Sequence, residues 1–170
     1  MRTLRTQLLV TLLCTLAACG GESGGGEATP ADAPAAKSGL LVEYPGDGHA
    51  SPASALNTAL QEAISAGNTE SWLVFSVEGA PQNGVPRRAS VRYRSGELDL
   101  GQWVPSLEHN LEDAGIDVNA VQIHQGFKGM TMHSPSAARL AALLDNLFTS
   151  HYKIRPIPEL GTYKIRAEWN

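Results

Sequence analysis

Arg92-Tyr93-Arg94-Ser95-Gly96-Glu97-Leu98-Asp99 is the stretch that decides the fold. Ser95-Gly96 is a two-residue turn signal between segments that alternate apolar and charged residues, the pattern of a β-hairpin. Closing the chain there sets Arg94 opposite Glu97, Tyr93 opposite Leu98, Arg92 opposite Asp99 and Val91 opposite Leu100. Apolar pairs then face one side and opposite charges face the other. Each such pair contributes roughly 0.2–1 kcal/mol, and a slip of one residue loses all of them together. The pattern predicts an antiparallel sheet whose apolar side faces inward.

Upstream, Leu73, Phe75 and Val77 alternate across 72–78 and predict another strand. Before it, Ser51-Pro52 opens a helix with Leu56, Leu60, Ala63 and Ile64 as its apolar stripe and Gly67 past its end. Residues 40–44 read as a first strand or a covering strap, stopped by Pro45-Gly46. Downstream, a helix runs from Pro105 to Ala114 with Leu107, Leu111 and Ala114 inward. Gly115-Ile116 reads as its Schellman end. A second hairpin with the loop 125–128 sets Ile123 opposite Met130 and Val121 opposite Met132. Ser134 then caps a helix with Pro135 at its first position and Leu140, Leu143, Leu144, Leu147 and Phe148 inward. The alternation over 163–169 predicts a closing strand.

The result is an α+β domain over 39–170, an antiparallel sheet with helices packed on it in the order α-β-β-β-α-β-β-α-β. This element order resembles the secretion-chaperone-like fold. Tyr-Lys-Ile-Arg occurs at both Tyr152 and Tyr163, too short a likeness to mark an internal repeat.

The amino-terminal end has a different character. Arg2 and Arg5 precede an apolar run over 8–18, and small residues close it, as in a secretory signal peptide covering 1–18. The run is shorter than the roughly 20 apolar residues of a membrane-spanning helix. Leu16-Ala17-Ala18-Cys19 resembles the lipobox of bacterial lipoproteins at every position. The resemblance implies cleavage before Cys19, lipid on its thiol and acylation of the new amino terminus. It also implies a lipid-anchored protein of the bacterial envelope. Because Gly20, and not Asp, follows the cysteine, the expected station is the outer membrane, facing the periplasm. Residues 20–38 are almost all Gly, Ala, Ser, Pro and Glu, a composition that cannot bury enough apolar surface to offset its ordering entropy. With Cys19 they are expected to form a lipidated tether with a reach of roughly 25 Å.

The 170 residues carry a net charge of −4, so a nucleic-acid partner is not expected. Without the signal peptide there remain 11 basic and 17 acidic residues. The acidic surplus lies before Ser71; after it, ten acids meet ten bases. Cys14 and Cys19 are the only cysteines, so the domain should rely on its core and hold no disulfide.

None of the five histidines has metal-ligand or catalytic spacing. His124 and His133 fall roughly 13 Å apart along the second hairpin, and His109 with Glu112 and Asp113 suits a solvated helix face. Ser150-x-x-Lys153 matches the nucleophile motif of penicillin-binding enzymes, but its serine ends a helix where that chemistry needs it to begin one. No catalytic residue, metal or cofactor is therefore expected beyond the lipid on Cys19. Loops and aromatic or Arg anchors are the expected contact points. The candidates are Phe127 in the second hairpin, Trp103 beside a turn, and Arg87 and Arg88 in the stretch 80–88, with 156–161 as a further loop. The expectation is a non-enzymatic lipoprotein that binds a protein partner, in the manner of envelope immunity or inhibitor proteins. An envelope assembly or chaperone factor is the alternative, and an undetected periplasmic enzyme a further one.

Overall fold

The hairpin at Ser95-Gly96 has the expected register, Arg92 with Asp99, Tyr93 with Leu98 and Arg94 with Glu97. Both turn residues have positive φ, 46° and 86°, the geometry that lets a two-residue turn follow the strands' twist. Gly96 is required for a second reason: a Cβ there would lie 2.6 Å from the Met132 carbonyl oxygen. Pairing stops one step earlier than expected. The Leu100 amide turns from Val91 to donate to the Lys128 carbonyl at 2.7 Å.

The computed structural model describes residues 40–66, 70–134 and 136–169. The expected signal peptide, Cys19, the expected tether, Gly67 and Pro135 lie outside them. The elements are β1 (Leu40–Tyr44), α1 (Pro52–Ala66), β2 (Leu73–Gln82), β3 (Val85–Arg94), β4 (Glu97–Asp99), α2 (Leu107–Asp113), β5 (Val121–Ile123), β6 (Gly129–Met132), α3 (Ala137–Asn146) and β7 (Lys164–Trp169). This is an α+β fold with the expected order and one strand added at its head. All strands join one antiparallel sheet in the order β1-β7-β2-β3-β4-β6-β5. The second hairpin pairs Ile123 with Met130 and Val121 with Met132, as expected.

The core lies on one side of the sheet. Phe75, Val91, Tyr93, Leu98, Met130, Ile165 and Ala167 meet Leu56 and Leu60 of α1, Leu111 of α2, and Leu140, Leu144 and Phe148 of the third helix and its extension. Helix α1 packs against α3, β1 and β7, and α2 against α3. Ser51 caps α1, its Oγ accepting from the Ser54 amide at 3.1 Å. The stripe of α1 is rotated from the expected one. Ala55 and Ala59 are buried and Ile64 is 46% exposed, because small residues permit the close approach to α3. Helix α2 ends in the expected Schellman motif, with Ile116 donating to the Leu111 carbonyl (2.9 Å) and Gly115 to Glu112 (2.8 Å). It begins at Leu107, after Ser106 in a left-handed conformation, and so later than Pro105 suggests.

Further differences have local causes. Ser134 does not cap α3: its φ is 47°, the helix starts at Ala137, and Ser136 occupies the cap position without a side-chain bond. The helix runs on through Leu147–His151 in a wider turn, and Ile154 donates to the Phe148 carbonyl at 2.9 Å. The stretch 80–88 is no loop. It is the outer half of the β2–β3 hairpin, closed by Asn83-Gly84 with φ of 53° and 76°. The first Tyr-Lys-Ile-Arg lies in the turn after α3 and the second leads into β7, so the two share no structure.

Candidate functional site

Side chains alternate along a strand, so the residues between the core positions form the sheet's other face. There the register aligns side chains into rows. Glu168, Val74, Arg92 and Asp99 follow one another across β7, β2, β3 and β4. The next row is Glu43, Arg166, Ser76 and Ser90, and beyond it come Lys164, Glu78 and Arg88. Ion pairs run along these rows, Arg88–Glu78 at 3.2 Å, Arg166–Glu43 at 3.9 Å and Arg92–Asp99, and Arg94–Glu97 at 3.2 Å lies in a further row beside the turn. Fold and face define the class, an α+β domain whose antiparallel sheet carries helices on one side and a charged, solvent-facing surface on the other.

This face has two features beyond a solvated lattice of charges. Trp72, one residue before β2, lies beside Arg94 because Leu73 pairs with Tyr93. The Arg94 guanidinium stands 4.3 Å from the Trp72 ring centroid and that of Arg92 5.3 Å, so two cations share one indole. The second feature is a trough of about 670 Å³ over β1, β7, β2 and β3. Ser76 and Ser90 are directly opposed, and their short side chains leave a depression among Arg88, Lys164, Arg166, Glu43 and Glu78.

The sequence candidates do not form one surface. Arg87 and Arg88 sit on the projecting β2–β3 arm and turn to opposite faces. Arg87 Nε donates to Gln82 Oε1 at 3.0 Å, while Arg88 pairs with Glu78 on the charged face. Trp103 lies between β4 and α2 and is 56% exposed; the adjacent Val104 anchors the segment in the core. The Leu100–Lys128 bond sets this segment beside the β5–β6 turn that contains Phe127, whose side chain lies outside the described residues. Trp72, Ser76, Ser90, Lys164 and Arg166 were not among the candidates. The polar alternation opposite the core positions of β2, β3 and β7 is the signal that could have found them.

The histidines are dispersed. His124 Nε2 bonds Thr131 Oγ1 at 2.9 Å, and His109 pairs with Asp113 at 3.5 Å on the solvated face of α2. His151 packs edge-on against Tyr152, and burial, then the Lys153 charge, hold its pKa below the usual histidine value. Among the described residues no group of three or more His, Cys, Asp or Glu is arranged to hold a metal ion. Ser150 Oγ donates to Asn146 Oδ1 at 2.6 Å at the end of its helix, and Lys153 lies in the turn beyond it.

Two tyrosines tie the helical layer to the sheet. The Tyr152 hydroxyl donates to the Leu100 carbonyl at 3.0 Å; burial, then the Asp99 charge, push its pKa up to about 12. The Tyr163 hydroxyl donates to Asp145 Oδ1, and burial raises the Asp145 pKa above the usual carboxylate value.

No protein-family model, curated protein or solved structure matches the chain. Among the described residues, no helix is long and apolar enough to cross a membrane.

Proposed function

We propose that this is a bacterial envelope lipoprotein, anchored through lipid on Cys19, whose domain works by binding a protein partner in the manner of immunity and inhibitor proteins. The anchor rests on Arg2, Arg5, the apolar run after them and Leu16-Ala17-Ala18-Cys19. The tether lets the domain reach a partner in the periplasm while remaining on the outer membrane. The observation that carries the binding role is Trp72 in cation–π contact with both Arg92 and Arg94 on an open sheet face. Trp and Arg dominate the energetics of protein interfaces, and a pre-stacked set loses little freedom when a partner covers it.

Exposed ion pairs contribute at most about 1 kcal/mol each, so a lattice of them adds little stability. They suit a surface that must stay soluble when free and become buried in a complex. On this reading the domain acts by contact and performs no turnover.

The test is chemical crosslinking of the full-length, lipidated protein in intact cells, followed by affinity purification. The wild type should yield a discrete partner, and Trp72→Ala with Arg94→Ala should lose it while the protein remains folded. Equal recovery with both forms would contradict the assignment of the binding face.

A further inference from the structure

Ser76 occupies an unusual point on the charged face. Its neighbours across the strands are Arg166 on β7 and Ser90 on β3. One step along those strands stand Lys164, Arg88 and Arg92. Cross-strand neighbours lie about 5 Å away and diagonal ones about 7–8 Å, within reach of long side chains. The two serines therefore form the floor of a depression lined by Arg88, Lys164 and Arg166 together with Glu43 and Glu78.

Of these cations Lys164 and Arg166 are the available ones, because Arg88 pairs with Glu78 at 3.2 Å and Arg92 with Asp99. The Arg88 and Arg166 side chains are 70% and 55% exposed, and the Arg166–Glu43 contact is long at 3.9 Å. Lys164 is exposed and makes no ion pair among the described residues. Glu43 and Glu78 also line the trough, so its three cations exceed its carboxylates by one. That balance suits the entry of a single acid.

We propose that the trough at Ser76 and Ser90 receives a Glu or Asp side chain from an acidic segment of the protein partner. The inference rests on the binding role proposed above and specifies the chemistry of its contact. The incoming carboxylate accepts from the Ser76 and Ser90 hydroxyls and from Lys164 and Arg166. Arg166 exchanges its long contact with Glu43 for a closer one, at little cost because exposed pairs are weak.

The probe is a fluorescent hexapeptide of alternating Glu and Ser, titrated by anisotropy into the full chain in neutral detergent. Saturable binding is expected, with none for the matching Lys-Ser peptide. Lys164→Gln with Arg166→Gln should weaken it about tenfold, as should raising the salt from low to high. Ser76→Gln, which fills the floor without removing charge, should weaken it as well. Circular dichroism checks that each variant is folded.

Absence of saturable binding, or equal binding by the Lys164→Gln, Arg166→Gln form, would overturn the proposal. So would displacement by glycerol phosphate as effective as by unlabelled peptide, which would assign the trough to phosphate. Partner capture separates the two readings. If the Lys164→Gln, Arg166→Gln form still captures the cellular partner, acid recognition fails and the binding role stands. If the peptide binds but no partner is captured, the reverse holds.

Discussion

Arg94 stacks on Trp72 at 4.3 Å from the ring centroid while also pairing with Glu97 at 3.2 Å across the turn. One guanidinium thus joins an aromatic side chain before β2 to a carboxylate at the start of β4. These three side chains hold one another in place on the open face.

Trp72→Ala is expected to lower partner affinity by about 2 kcal/mol or more, the range of an interface anchor. Unfolding stability should fall by only about 1–2 kcal/mol, since each of the two cation–π contacts is worth roughly 0.5–1 kcal/mol when exposed. Calorimetry on the captured partner and urea denaturation measure the two effects separately.

Gly79 faces a segment that leaves no room for a side chain. A Cβ there would lie 2.5 Å from Ile154 Cγ2 and 2.6 Å from the Arg155 carbonyl oxygen, and the Ala80 amide donates to that carbonyl at 3.1 Å. Gly79→Ala should destabilise the domain by roughly 1–3 kcal/mol through overpacking. Urea denaturation should show a lower midpoint with an unchanged slope.

Asp145 gives a pH dependence of unusual sign. Its folded pKa is raised, so the folded state holds the proton more tightly than the unfolded chain. The associated stability is fully present below the ordinary aspartate value of 3.8 and is lost as the pH rises through the higher folded value. Asp145→Asn keeps an acceptor for Tyr163 and carries no charge. Its Tm relative to the wild type should therefore be higher near neutrality than at pH 3. Equal differences at both pH values would show that Asp145 ionisation does not matter.

Cys19 carries the anchor in this account. Cys19→Ser should leave the precursor uncleaved and remove the lipid mass from the protein in mass spectrometry. A mature amino terminus at any other residue would refute the anchor. Recovery of the wild-type protein with the inner membrane would refute its outer-membrane station.

Much of the fold was legible because local signals agreed with tertiary demands. Ser95-Gly96, the charges around it and the alternating Tyr93 and Leu98 all required one register, and that register is present. Asn83-Gly84 is also a turn signal, but Pro81 and Pro86 flank it, and proline interrupts the pattern of a strand. In the arm they belong to, Pro81 and residues 83–88 are exposed and leave no apolar alternation. The charged face was less legible for a topological reason. Trp72 meets Arg94 only through the β2–β3 register, and the trough exists only because β7 inserts between β1 and β2. Local periodicity gives the face of a strand and says nothing about which strand lies beside it.

The most direct test places a photo-crosslinking amino acid on each side of the domain in the full-length protein in living cells. One position is Ser90, exposed on the charged face; the other is Gln61, exposed on α1. The account predicts a discrete protein adduct from Ser90 and none from Gln61. An adduct from Gln61 alone, or none from Ser90 in a folded and lipidated protein, would contradict it.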